Sequence, residues 1–137
     1  MSDDDLDEWR DIEPVETPLA AVPGLPVFAT VDEFVAERLR YMYARKVGPQ
    51  NVAQHRWAAD WWNYPEAVSR LEALWRSWEY LRLDGPLGMS TWWRDHADYH
   101  MAALLSPEGP FARSTDRNDW GEPLPNAPRP RSEKVQK

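Results

Sequence analysis

Pro65-Glu66-Ala67-Val68-Ser69-Arg70-Leu71-Glu72-Ala73-Leu74-Trp75-Arg76-Ser77-Trp78-Glu79-Tyr80-Leu81 is the stretch whose reading decides the fold. At about 100° per residue, Ala67, Leu71, Leu74, Trp75, Trp78 and Leu81 share an arc of about 120°. Val68 widens that arc, and Arg82 is its one charged intruder. Pro65 suits the first helical position, with Asn63 or Tyr64 as cap. Asp84-Gly85-Pro86 stops the helix. Glu66–Arg70 and Glu72–Arg76 are spaced as i,i+4 ion pairs, and Glu66, Glu72 and Glu79 read as a solvated side. A helix with one apolar stripe needs other elements to cover it.

Two such elements flank it. Upstream, Thr30-Val31-Asp32-Glu33 has the form of a capping box. Val31, Val35, Leu39 and Met42 come next at helical spacing, with Phe34 and Tyr43 beside them. The pattern predicts a helix over 31–46, ended by Gly48-Pro49. Downstream, Ser90 can cap a helix over 91–105, ended by Pro107 and Gly109-Pro110. Between the first two lies Asn51-Val52-Ala53-Gln54, then His55 to Trp62. A short fourth helix or an irregular aromatic loop fits that segment nearly equally. The expected fold is all-α, a small bundle of three main helices with a fourth short one as an option.

The termini read differently. Residues 1–30 hold eight acids and one Arg, so the arm carries the chain's net charge of −7. With Pro14, Pro18, Pro23 and Pro26 it buries too little apolar surface to offset ordering, which predicts a disordered acidic arm over 1–26. Leu6, Trp9 and Ile12 recur every three residues there, a pattern that could dock as one short amphipathic helix on a partner. The helical domain is expected over 27–111. Residues 112–137 read as a Pro-rich, weakly basic tail, its first part anchored on the domain by Phe111 and Trp120. From about Pro123 the tail is expected to be extended or disordered.

Composition excludes several classes. The chain has no Cys, so thiolate chemistry and disulfides are out. No apolar run approaches the roughly 20 residues of a membrane span. The acidic N-terminus is the opposite of a signal peptide, and a cytoplasmic protein is expected. Residues 31–105 hold ten acids and nine bases, so no general nucleic-acid surface is indicated, although Arg129, Arg131, Lys134 and Lys137 leave room for weak contact. No phosphate loop or nucleophile elbow occurs, no cofactor is implied, and no catalytic residue is assigned.

Seven of nine tryptophans lie in 57–105. Helices this short are not expected to hide all seven. Trp57, Trp61, Trp62 and Trp92 are therefore the candidate partner-binding surface, for another protein or a second copy. The sharper possibility is a metal site. His96 and His100 are spaced i,i+4, and His55 is the only further histidine. On an ideal wheel both helix histidines fall on the apolar arc, while Asp95 and Asp98 fall opposite. The His-Glu-x-x-His signature is absent, since Ala97 follows His96. Packed histidines are the favoured reading, and a His55, His96, His100 site is the alternative.

The run Trp57…Trp61-Trp62…Pro65-Glu66-Ala67-Val68…Leu71-Glu72-Ala73-Leu74-Trp75…Trp78-Glu79…Leu81-Arg82-Leu83 carries a resemblance, as do Gly88-Met89-Ser90…Trp92-Trp93-Arg94-Asp95-His96-Ala97-Asp98…His100-Met101 and Pro107…Gly109-Pro110-Phe111. Over 34–125 the chain resembles a family of small actinobacterial proteins classed as a domain of unknown function. Its members tend to be encoded on plasmids, integrative elements and phages, often near conjugative-transfer genes. The family typically has Pro where this chain has Tyr99, which implies a more regular third helix here. The resemblance supplies no catalytic or binding residues. It implies an accessory role for a mobile element, with a DNA-transfer component as one candidate partner.

Overall fold

The computed structural model of the chain describes residues 25–50 and 54–130. Three helices carry the fold, and no strand occurs among the described residues. The first, α1, spans 31–42. It runs as Val31–Phe34, a π-helical turn Val35–Leu39, and Arg40–Met42. The second, α2, is Pro65–Leu81. The third, α3, spans 88–105, with a π-helical turn Trp92–Ala97 between Gly88–Thr91 and Asp98–Leu105.

Local chemistry accounts for most boundaries. The Thr30 hydroxyl accepts the Glu33 N–H at 3.2 Å, the cap expected of α1. That helix stops at Met42, earlier than the expected Lys46, because Tyr43 and the chain to Val47 turn away to pack elsewhere. Pro65 opens α2, although its cap Tyr64 makes no side-chain hydrogen bond and packs its ring on Phe111 instead. Gly85, at φ +67°, takes the left-handed turn that ends the segment. The last helix starts at Gly88 rather than Thr91, so Ser90 lies inside it and is no cap. A Cβ at Gly88 would stand 2.0 Å from the Leu81 carbonyl oxygen, so only glycine lets α3 begin hard against the end of α2.

The π turn in α3 revises the wheel. Nine residues separate Trp92 from Met101, about 180° apart on an ideal helix, yet both are fully buried. An i→i+5 turn inserts one residue and brings Ala97 beneath Trp92, with Met101, Leu104 and Leu105 further along the same stripe. His96 and His100 move to the edge of the buried stripe and are half-buried. The regularity implied by Tyr99 holds from Asp98 onward and not in the turn before it.

The core lies around α2, which packs against α1 and along α3. Leu71, Leu74 and Trp78 meet Phe34 and Leu39 of α1 and Trp92, Met101 and Leu104 of α3 in one buried cluster. Phe28 and Phe34 pack on Trp78 with ring centroids 5.5 and 5.6 Å away. The Trp92 indole donates to the Leu74 carbonyl and the Ser77 hydroxyl, each at 3.1 Å, which satisfies its one polar atom inside the core.

The domain boundary expected at residue 111 does not end the packing. Residues 112–130 wrap back over the helices without regular structure, and Leu124 is as buried as any core leucine. Residues 1–24, with the arm positions Leu6, Trp9 and Ile12, lie outside the described residues, as do 51–53 and 131–137.

Candidate docking and binding surfaces

Trp57, Trp61 and Trp92 are at most 1% exposed, so they cannot form the surface expected of them. The segment at 54–63 is irregular up to a single 3-10 turn, Trp61–Asn63, rather than a fourth α-helix. Irregular backbone exposes three indole N–H groups along one side. The returning chain supplies their acceptors in order. Trp57 donates to the Pro125 carbonyl at 2.9 Å, Trp61 to the Asn126 side chain at 3.1 Å, and Trp62 to the Ala127 carbonyl at 3.1 Å. The Ala127 N–H returns a bond to the Ala59 carbonyl at 3.0 Å. Prolines at 123, 125 and 128 donate no N–H, so this strap offers carbonyls to donors that a helix could not satisfy. The proline-rich segment thus bonds Trp57, Trp61 and Trp62, the helical core encloses Trp92, and of the four only Trp62 stays partly exposed.

Further polar contacts pin the strap. The Ser114 hydroxyl donates to the Trp57 carbonyl at 2.7 Å, and the Asp116 carboxylate accepts the Ala59 N–H at 2.7 Å. The Arg40 guanidinium donates to the Leu124 carbonyl at 2.8 Å. Burial, then the nearby Asp60 and Asp116 charges, raises the Tyr64 pKa above its usual value.

The histidines do not gather. Among the described residues, no three His, Cys, Asp or Glu side chains converge to hold a metal ion, so His55, His96 and His100 do not build one site. His100 Nδ1 lies 3.1 Å from an Arg70 guanidinium nitrogen. Arginine only donates, so Nδ1 accepts and the imidazole is neutral with its proton on Nε2. Burial, then the Arg70 charge, then His96 lower the His100 pKa below the ordinary 6.5. The aspartates have separate duties. Asp95 pairs with Arg94 at 2.8 Å in solvent. Asp98 accepts the Tyr43 hydroxyl, and burial together with that bond raises the tyrosine's pKa.

Glu79 is the residue that spacing misplaced. It does not lie on a solvated helix side. Its two carboxylate oxygens accept the N–H groups of Val27 and Phe28, both at 2.9 Å, and one of them pairs with Arg82 at 3.0 Å. Arg82 also donates to the Leu25 carbonyl and lies 5.8 Å from the Trp78 ring centroid. The apparent intruder on the apolar arc is thus half of a clamp that fixes the chain entering α1.

That clamp builds a groove. Leu25 and Pro26 form one wall, Trp75, Tyr80 and Leu83 the other, over about 540 Å³. Tyr80 is 72% exposed and Leu83 49%. The Trp75 indole N–H is buried with no acceptor, unlike those of Trp57, Trp61 and Trp62. Arg76 stacks over Trp75, with its charge centre 5.9 Å from the ring centroid. The sequence carried a signal for this face. Tyr80 is an aromatic residue about 100° outside the nearest edge of the apolar arc, where a purely structural helix has no use for one. The most exposed large apolar side chain of the described residues, Trp120 at 77%, stands elsewhere, on the loop before the strap.

No helix among the described residues is long and apolar enough to cross a membrane. Searches of curated proteins and of solved structures return no match to the chain. A family model matches residues 28–131, which takes in all three helices and the strap. The chain therefore belongs to the family described as Domain of unknown function (DUF4913).

Proposed function

We propose that this protein is a non-enzymatic interaction module, an accessory protein of a mobile genetic element, which docks a protein partner in the groove along α2. The observation that carries this reading is the exposed apolar pair Tyr80 and Leu83 facing Leu25 and Pro26 across an open groove. Tyr, Trp and Arg dominate the energetics of protein interfaces, and this groove presents all three through Tyr80, Trp75 and Arg76. The occupant is an apolar peptide segment with acidic flanks, matched to the exposed Arg76 on the rim. The mobile-element setting rests on the family resemblance, and a DNA-transfer component is the partner class it favours.

A photo-crosslinking residue in place of Tyr80, introduced in the native host, tests this. The expected product is one heterologous partner, lost when Leu83→Glu is added. Products confined to the chain itself would overturn the reading. A crosslink to residues 1–24 would instead assign the groove to Leu6, Trp9 and Ile12 of the arm, and one between copies would assign it to self-association.

A further inference from the structure

A second surface lies at the loop before the strap. Between Glu37 and Asp60 the sequence holds five Arg or Lys residues and no acid. The fold adds a sixth cation to two of them. Asn118 ties the two loops together, accepting the Val47 N–H at 2.9 Å and donating to the Arg45 carbonyl at 3.0 Å. Arg117 is thereby set beside Lys46, and both line a polar cavity of about 230 Å³. Gly48 makes this approach possible, since a Cβ there would stand 3.0 Å from the Arg117 Cβ. Trp120 rises at the edge of this cluster, with the Lys46 ammonium 5.4 Å from its ring centroid. Among the described residues, Arg45, Lys46 and Arg117 make no ion pair with a carboxylate.

The nearby acids are mostly committed. Asp116 is spent on the Ala59 N–H, and Glu122 accepts the Asp119 N–H at 2.7 Å within the turn. Asp119 lines the cavity and subtracts from the cationic charge.

We propose that Trp120, with Lys46 and Arg117, is a contact site for single-stranded nucleic acid. An isolated exposed indole offers a stacking face to any base that is not already stacked in a duplex. Cations beside it meet the phosphates on either side of that base. A lysine held over an exposed aromatic ring, here Lys46 over Trp120, is an arrangement such sites use. A duplex hides its base faces and leaves the indole nothing to stack on. This surface is distinct from the α2 groove, and its failure would leave the docking reading untouched.

Fluorescence anisotropy of the full chain with labelled oligothymidylate and oligouridylate, at about 20 mM salt, tests the site. Binding should quench tryptophan emission. Two phosphate contacts predict a log–log salt slope of about −1.4 on a single strand. Trp120→Ala should weaken binding about fivefold or more and abolish the quenching, and Lys46→Glu with Arg117→Glu should eliminate binding. Circular dichroism checks that these substitutions leave the fold intact. Binding of either oligomer by this pattern supports the site. No anisotropy change at low salt, or affinity untouched by both variants, overturns it. So does equal affinity for polyglutamate, or a Trp120 emission shift with anionic vesicles alone.

Discussion

Trp57, Trp61 and Trp62 differ from Trp75 in one respect that decides their roles. The first three have every indole N–H paired with the strap. Trp75 has its N–H buried with no acceptor, beside an open groove. A buried donor left unpaired costs on the order of 1–3 kcal/mol, so completed and uncompleted sites are physically distinct. Tryptophan density therefore does not mark open surface. The densest cluster is bonded by the chain itself, and the unpaired Trp75 N–H lies beside the groove at the C-terminal end of the long helix.

The largest effect should come from the finished side. Leu124→Ala removes a fully buried side chain from the strap and should cost about 3 kcal/mol by denaturant unfolding. A cost under about 1 kcal/mol would mean that the strap only rests on the tryptophans. Glu79→Ala should come next, at about 2 kcal/mol, because it strands the Val27 and Phe28 N–H groups and the Arg82 charge. It should also loosen the wall formed by Leu25 and Pro26, so partner crosslinking at position 80 should fall with it. Unchanged stability would show that water replaces the carboxylate freely and that the groove has no built wall.

A smaller effect is expected from His100. Its folded pKa lies below 6.5, so the unfolded chain binds the proton more readily. Its contribution is complete above the ordinary histidine pKa and is lost as pH falls through and below it. Melting temperature should therefore drop between about pH 8 and about pH 5.5, and His100→Gln should drop less. An identical drop in both would remove His100 as its source. The smallest stability effect should be at the unfinished side. Tyr80→Ser should change unfolding free energy by no more than about 0.5 kcal/mol, since the ring is mostly in solvent. A large loss would make Tyr80 structural and leave the groove without an argument.

The sequence made the helices legible because their apolar residues recur at helical spacing and their ends carry Thr30, Pro65 and Asp84-Gly85-Pro86. It could not show two things that depend on the third dimension. One is the π turn at 92–97, where the Trp92-to-Ala97 spacing departs from the ideal wheel and shifts His96 and His100 to the edge. The other is the strap. Pro123 to Pro128 has the composition of a free tail, and only the indole donors far upstream make it structure (for Trp57 and Pro125, a separation of 68). The same gap hid the candidate sites. Glu79 reads as a surface acid until Val27 and Phe28 are placed above it. Lys46 and Arg117 read as dispersed charges until Asn118 joins their loops.

Hydrogen exchange at the tryptophan indoles tests the division most directly, with each resonance assigned by single Trp→Phe substitution. The N–H groups of Trp57, Trp61, Trp62 and Trp92, each bonded to a fixed acceptor, should exchange slowly and together, by opening of the folded domain. That of Trp120 should exchange at the rate of free indole. Exchange at Trp57, Trp61 and Trp62 as fast as at Trp120 would contradict the account, because it would return the cluster at 57–62 to the surface.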